Sequence, residues 1–289
     1  MGRPPWAAVA FCILIIMLAG SSCAPTEPYI NLAEAGVTYA QAMDKLLDAC
    51  IDISVNATSE RMLQNKLLAT PTLADYNAQT QVDRDRIIIL RRLQSHARLM
   101  GEYFQALNDL AASKAPSQIA DSIGSIVDPL NALGQELRGS DLLKNKGAVA
   151  TGTQLVVGSI IRGRLRRELE QRKDTIDGEL QLQAELLKAL AGAMDADLKQ
   201  ISEIQEQRLV IKPLIDSRAI SNPDQWVAAR HRFLTTPQVS QELNGASEAV
   251  SRLRLAFEES VAGSLNRDRV KGLLADFGSI LEFAESLKR

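Results

Sequence analysis

Histidine is scarce in this sequence, since His96 and His231 are the only two among 289 residues. Neither has a second histidine or a cysteine at ligand spacing, so a zinc site of the usual composition is not expected. The sequence also lacks Gly-x-Ser-x-Gly, a phosphate-binding glycine loop and His-Glu-x-x-His. We therefore predict no catalytic residue, no metal site and no cofactor, and we expect that the protein is not an enzyme.

Aromatic residues are also few, at 4% of the chain, and the formal net charge is only −2. A nucleic-acid-binding protein needs a basic face, which this near balance of charge does not supply, so no nucleic-acid partner is expected. Leucine, alanine, glutamine, glutamate and arginine abound instead, which is the composition of long helices. No run alternates like a strand, so the sequence predicts an all-α protein.

Cysteine is limited to three residues. Cys12 and Cys23 lie in the N-terminal segment, which leaves Cys50 without a partner for an intramolecular disulfide. Cys50 falls on the apolar face of a predicted helix. We therefore predict that its thiol is buried and inert.

The chain begins with the features of an export signal. Arg3 and the free amine supply a positive start, residues 6–20 are an unbroken apolar run, and two serines lead to Cys23. An uncleaved anchor is disfavoured because the run has fifteen residues, whereas about 20 are needed to span a bilayer. Ordinary secretory cleavage is an alternative, since small residues also suit cleavage after Ser21 or Ala24.

A cysteine at this position resembles that of a bacterial lipoprotein precursor, where it receives a diacylglyceryl group and becomes the new N-terminus. The resemblance covers Met1 to Cys23 and departs from the class at Gly20, where leucine is usual. It implies that Cys23 is held in a lipid bilayer and that the protein faces the periplasm. Because Ala24 is not an aspartate, the outer membrane is favoured. Residues 1–22 would be the signal, 23–28 a lipidated tether and 29–289 a helical bundle; the alternative is a soluble periplasmic or secreted protein.

Two long helices are predicted first, over Tyr29 to about Thr70 and over Leu73 to Ala112. Apolar residues recur along both at steps of three and four. The second helix carries a coiled-coil-like seam of Leu90, Leu93, Ala97, Met100, Phe104, Leu107 and Ala111. Their short connector implies an antiparallel hairpin about 60 Å long. His96 lies beside the seam, where a partly buried histidine bonded to a neighbour is expected in preference to a catalytic base.

The remaining chain is predicted to add further helices. One covers Ser117 to about Leu137 with a kink at Pro129, and the next starts at a cap at Ser140 or Asp141 and runs with interruptions to about Ser217. Later helices are predicted over 222–234, from 237 to about 262, and over 270–287. The predicted fold is an elongated bundle of long antiparallel helices with coiled-coil-like seams, in which 222–289 is a candidate C-terminal subdomain.

A second seam is predicted in the long fourth helix. Its members are Ile176, Leu180, Gln183, Leu187, Leu190, Met194, Asp197, Ile201, Ile204, Arg208, Ile211 and Ile215. Gln183, Asp197 and Arg208 interrupt it with polar side chains. Polar residues in a seam usually set the register between helices, so we expect them to do that.

The segment 148–161 is apolar and rich in small residues, and arginines follow it. One interpretation is a helix buried on all sides, with the arginines in solvent. The other is a membrane-inserting element whose arginines bind anionic headgroups. The residues predicted to contact a membrane or a partner are Val156, Val157, Ile160, Ile161, Arg162, Arg164, Arg166 and Arg167. Fourteen residues are too few to span a bilayer, which favours the first interpretation.

These patterns favour an envelope-anchored, non-enzymatic scaffold or adaptor that presents helical faces to another envelope protein. The reason is that helix-packing seams are extensive while catalytic motifs are absent. A homo-oligomer is compatible with the same seams. The alternative is a membrane-active protein that resembles the pore-forming helical toxins in layout and uses segment 148–161. A hydrolase whose site is assembled from scattered residues is the least favoured hypothesis.

Overall fold

A computed structural model describes residues 27–68, 70–112, 116–143, 155–156, 163–216, 220, 222–234 and 239–286. Within these ranges the chain forms helices joined by turns and contains no strand, which confirms the all-α prediction. The elements are α1 (Glu27–Leu68), α2 (Leu73–Ala112), α3 (Pro116–Arg138), α4 (Gly163–Gln205), a π-helical segment (Glu206–Ile211), α5 (Lys212–Ile215), α6 (Pro223–Leu234), α7 (Val239–Ala262) and α8 (Arg267–Ser286). The export signal and Cys23 lie outside the described residues.

Helices α1 and α2 form the predicted antiparallel hairpin, as the ion pairs Asp48–Arg91 and Asp44–Arg98 require. With 42 and 40 residues, each helix is about 60 Å long. The predicted seam of α2 is confirmed, because its members are buried except for Ala111, which is partly buried against the same core. At the turn, the Thr72 hydroxyl accepts a hydrogen bond from the Asp75 N–H at 3.2 Å, and the Asp75 carboxylate accepts one from the Thr72 N–H at 2.8 Å. This reciprocal capping starts α2.

Helix α1 lies at the centre of the bundle and contacts α2, α4, α7 and α8, while α3 packs on α2 and α4. The apolar faces of these helices form one hydrophobic core. Aromatic rings mark the crossings: the centroids of Tyr39 and Phe277 are 5.4 Å apart, and those of Phe104 and Phe257 are 6.4 Å apart. Cys50 is fully buried in this core, as predicted, and burial raises its pKa to about 12.

Two predicted helix starts differ from the structure. Helix α1 begins at Glu27, two residues before the predicted Tyr29, so Pro28 lies in its first turn; a missing N–H is tolerated there. No helix starts at Ser140 or Asp141, because residues 139–143 form turns and α4 begins at Gly163. The Ser140 N–H instead bonds the carbonyl of Leu137, so this serine helps to end α3.

The second seam is confirmed along most of α4, where Ile176 to Ile204 face the core with one partly buried exception, Ile201. It fails at its last member, since Ile215 is 75% exposed, whereas Arg208 and Ile211 are half-buried. The π-helical segment between Ile204 and Ile215 is the physical reason. A π turn holds more residues than an α turn, so the side chains that follow are rotated about the helix axis, away from the seam.

Candidate functional site

Polar side chains surround Glu179 of α4 inside the bundle. One carboxylate oxygen of Glu179 lies 2.8 Å from Nε2 of His96 on α2, and the other accepts a hydrogen bond from Arg138 of α3 at 2.9 Å. Gln183, one turn further along α4, contacts Nδ1 of the same imidazole. These four residues, called the Glu179 cluster below, connect three helices.

The Glu179 cluster contains the histidine–carboxylate pair of a general base, but it is closed to a substrate. His96 is 0% exposed and Glu179 is 2% exposed. A general base must come within hydrogen-bond distance of the proton that it removes, and no substrate atom reaches this imidazole unless the helices separate. His96 is thus bonded to a neighbour, as predicted, although it is more deeply buried than expected.

Further ion pairs join the helices at other levels. Asp177 of α4 binds Arg254 of α7 at 2.7 Å, and Asp197 binds Arg86 of α2 at 2.8 Å. Arg254 also pairs with Glu258 of its own helix at 3.2 Å, so Asp177 shares this arginine with a second carboxylate. In the described ranges, no three His, Cys, Asp or Glu side chains converge in a way that could hold a metal ion.

The polar seam residues behave as register markers. Gln183 meets His96, Asp197 meets Arg86, and Arg208 of the π-helical segment binds Glu60 of α1 at 2.6 Å. Each contact forms only when α4 lies at one axial position relative to the neighbouring helices. A shift of one turn along the axis would leave every one of these groups buried or half-buried without its partner, which is costly.

Glu168 of α4 is the least well paired of the buried carboxylates. It is buried, and its Oε1 lies 3.9 Å from Nε of Arg172, too far for a hydrogen bond. Burial raises the pKa of Glu168, and the attraction of Arg172 opposes this rise without cancelling it. Arg172 also lies 3.9 Å from Asp128 on α3, so this arginine stands between two carboxylates.

We expect Glu168→Gln to stabilise the fold at neutral pH. The raised pKa means that the folded chain binds a proton at Glu168 more tightly than the unfolded chain does, so stability falls as the pH rises through the folded-state pKa. The glutamine side chain resembles the protonated acid and avoids this loss. Urea unfolding of the original chain and of Glu168→Gln from pH 4 to 8 tests this prediction. The gain in the free energy of unfolding should grow with pH and vanish below the pKa of an unfolded glutamate. A gain that is independent of pH would contradict this explanation.

The predicted contact residues are only partly within the described chain. Val157, Ile160, Ile161 and Arg162 lie outside it, and so do residues 144–154. Val156 is 80% exposed in a non-helical stretch, which differs from a helix buried on all sides. None of the described helices combines the length and hydropathy needed to cross a bilayer.

Three of the arginines predicted to contact a membrane or a partner lie within the described residues, in the first turns of α4. Arg164 and Arg167 are exposed, and Arg166 is paired with Glu170 one turn later at 2.8 Å. They share no described contact with Val156. The structure therefore places them on the surface of α4 but does not bring them together into a site.

The end of the bundle at which the α1–α2 turn lies is called the distal end below. It carries a different apolar surface. A cleft of about 1110 Å³ opens there between the last turns of α1 and the first turns of α2. Its lining includes Met62, Leu63, Lys66, Leu73, Tyr76 and Val82. Leu73 is 74% exposed and Tyr76 is 55% exposed, so this tip cleft is open to solvent.

A second set of exposed apolar residues adjoins the same end. It consists of Leu214 and Ile215 of α5 and Val227 and Leu234 of α6, called the α5–α6 surface below. Helix α6 is held through its tryptophan, because the indole N–H of Trp226 donates to the carbonyl of Val210 in the π-helical segment at 3.0 Å. The ion pair of Arg208 with Glu60 places that segment beside α1, close to the hairpin tip.

Sequence reasoning missed both surfaces. The sequence feature that could have indicated them is the set of apolar residues outside the predicted seams, such as Leu73, Val82 and Leu214. Scattered exposed apolar residues are common, so these positions carry meaning only when the fold places them together. At the distal end, Leu73 and Val82 line one open cleft.

Access to solvent separates the candidate sites. The Glu179 cluster is closed, whereas the tip cleft and the α5–α6 surface are open and apolar, which is the property of protein-binding surfaces. We therefore identify the distal end as the candidate functional site. Comparison of the chain with protein-family models, with curated proteins and with solved structures finds no match.

Proposed function

We propose that the protein is a lipid-anchored, non-enzymatic scaffold of the bacterial envelope that binds another envelope protein at its distal end. The observation that supports this most directly is the concentration of exposed apolar side chains at the distal end, whereas most other apolar side chains of the described helices lie in one packed core. Cys23 would hold the opposite end in the bilayer.

The length of α1 sets the distance between the proposed anchor and the distal end. Helix α1 begins at Glu27, four residues after Cys23, and ends beside the tip cleft. A helix of 42 residues is about 60 Å long. An anchor at Cys23 would therefore keep one end of the bundle near the headgroups and hold the distal end several nanometres away from them.

A scaffold needs rigidity in addition to length. Helix α1 is packed against four other helices, and ion pairs link α2 and α7 to α4 at separate levels. A bundle joined in this way transmits the position of its anchored end to its distal end, because packed interiors are dense and deform little.

The α5–α6 surface is the part that we assign to the envelope partner. Leu214, Ile215, Val227 and Leu234 are each more than half exposed. They lie on short helices, and α6 packs against the π-helical segment through contacts that include the hydrogen bond of Trp226. Partners of such a surface bury apolar side chains at its centre, where most of the binding energy of an interface is found.

A photo-crosslinking amino acid at Val227, introduced in the living cell, tests this proposal. We expect an adduct with one envelope protein, because Val227 is 57% exposed within the α5–α6 surface. The same amino acid at Leu255 of α7, an exposed apolar position away from the distal end, is the matched control and should give no such adduct. Adding Ile215→Asp should abolish the adduct at Val227, because a charge cannot be buried there without a partner.

The anchor is tested in the same cells. Cys23→Ser should remove the incorporation of labelled palmitate and reduce the yield of the adduct, since the chain would no longer be held at the membrane. Equal adducts at Val227 and Leu255, or no adduct at either, would contradict the scaffold proposal. Unchanged palmitate labelling in Cys23→Ser would contradict the anchor.

The membrane-active alternative stays a hypothesis. Of segment 148–161 the structure describes Leu155 and Val156, and the exposure of Val156 is the one observation that suits contact with a membrane. The backbone N–H of Leu155 donates to Asp174 at 3.3 Å, which attaches this stretch to the side of α4.

A further inference from the structure

The tip cleft is the part of the distal end that the proposed partner does not use. Its walls are two antiparallel helices, and its lining residues include Met62, Leu63 and Lys66 on α1, and Asp75, Tyr76 and Val82 on α2. A groove of this shape between two helices accepts the side chains of further helices, as in a four-helix bundle. The occupant is therefore expected to be helical.

The charges that line the cleft indicate which helices fit. Among the described residues that line it, the charged ones are Lys66 and Asp75, one positive and one negative. Lys66 makes no ion pair with a described residue, and one carboxylate oxygen of Asp75 accepts both the N–H and the hydroxyl of Thr72. The other oxygen of Asp75 faces no described donor. A surface with one charge of each sign and apolar walls is complementary to a copy of itself.

The axial positions of these two charges select an orientation. Lys66 lies two residues before the end of α1, and Asp75 lies two residues after the start of α2, so the two stand at the same height in the hairpin. When two hairpins pack side by side about a two-fold axis parallel to the helices, α1 of each neighbours α2 of the other. Lys66 of each copy then meets Asp75 of the other at one level.

We propose that the tip cleft is a homodimer interface in which two hairpins pack in parallel into a four-helix bundle, with reciprocal Lys66–Asp75 ion pairs. The bundle covers Leu63, Leu73, Tyr76 and Val82, which the single chain leaves exposed. Both α1 N-termini lie at the same end of the dimer, as two anchors in one membrane require. The dimer does not depend on the proposed function, because an unanchored chain would associate in the same way.

Sedimentation equilibrium of the full chain in a density-matched detergent tests the dimer. We expect the mass of two copies, with association that weakens about tenfold in Lys66→Glu, since both ion pairs become repulsive. The double variant Lys66→Glu/Asp75→Lys exchanges the charges and should return the dissociation constant to within about threefold of the original. The far-UV circular dichroism of each variant reports whether α2 still forms after the loss of the Asp75 cap.

A variant that keeps the cap gives an independent measurement. Tyr76→Glu places a charge on the apolar wall and should abolish association, whereas Val55→Glu, at an exposed apolar position of α1 outside the cleft, should leave it unchanged. A monomer at every concentration overturns the proposal, and so does a dimer that resists both Lys66→Glu and Tyr76→Glu. A dimer that Lys66→Glu weakens but the double variant does not restore overturns the ion pair and the parallel orientation. Loss of the Val227 adduct with the dimer intact contradicts the proposed function alone.

Discussion

Glu179→Ala should lower the free energy of unfolding by about 3–5 kcal/mol, the usual cost of removing one member of a buried ion pair. The carboxylate accepts hydrogen bonds from both Arg138 and His96, at 2.9 and 2.8 Å. Without it, His96 loses its partner at Nε2 while it stays fully buried, and Arg138 loses the acceptor that neutralises its charge. Arg138 keeps the carbonyl of Gly178 and His96 keeps Gln183, but each loses the partner that carries a charge, and that loss is costly in a buried position.

Urea unfolding followed by far-UV circular dichroism measures this loss. Glu170→Ala is the matched control, because Glu170 belongs to the same helix and is also paired with an arginine, yet it is exposed. Surface pairs of this kind contribute about 0–1 kcal/mol, so the control should change stability little. Equal losses in the two variants would mean that the Glu179 cluster does not hold the three helices together.

The hairpin and its seam could be predicted because the signal is local. The α2 seam from Leu90 to Ala111 repeats without a slip, and Thr70-Pro71-Thr72 interrupts the helical pattern at one point. Periodicity of this kind specifies which face of a helix is buried, whatever covers it. The same reasoning placed Cys50 correctly in the core.

The Glu179 cluster could not be predicted in the same way. Periodicity singled out Gln183 as a polar seam residue and His96 as a residue beside a seam, but the cluster forms only when α2, α3 and α4 are aligned along their axes. That alignment depends on long-range packing. Neither Glu179 nor Arg138 carries a local signal, because charged residues on a helix usually lie in solvent.

The distal end escaped prediction for a related reason. A continuous seam to Ile215 was expected, and the π-helical segment rotates the chain so that Ile215 is exposed. A π turn leaves no clear mark in the sequence, since it is stabilised by its tertiary surroundings. Here those surroundings include the indole of Trp226, which bonds the Val210 carbonyl, and the pair of Arg208 with Glu60. π-helical turns are often found at functional sites, which agrees with the location proposed for partner binding.

Gly36→Ala should also destabilise the fold, by about 1–3 kcal/mol. Gly36 lies where α1 crosses α2, and a methyl group at this position would overlap the ring of Phe104 and lie 2.7 Å from its Cβ. The ring cannot move aside easily, because Tyr103 and Phe257 pack against it. The two helices would therefore have to separate, which disturbs the core around the crossing.

Gly192→Ala is the control that isolates this steric effect. Gly192 lies within α4, and a methyl group there would meet nothing within 4 Å. Alanine favours the helix over glycine by roughly 1 kcal/mol, so this variant should be more stable than the original chain. The same substitution should thus change the urea midpoint in opposite directions at the two sites. An increase in stability for Gly36→Ala would mean that α1 and α2 approach each other less closely than in the structure. The hairpin would then not be the tightly packed centre that supports the distal end.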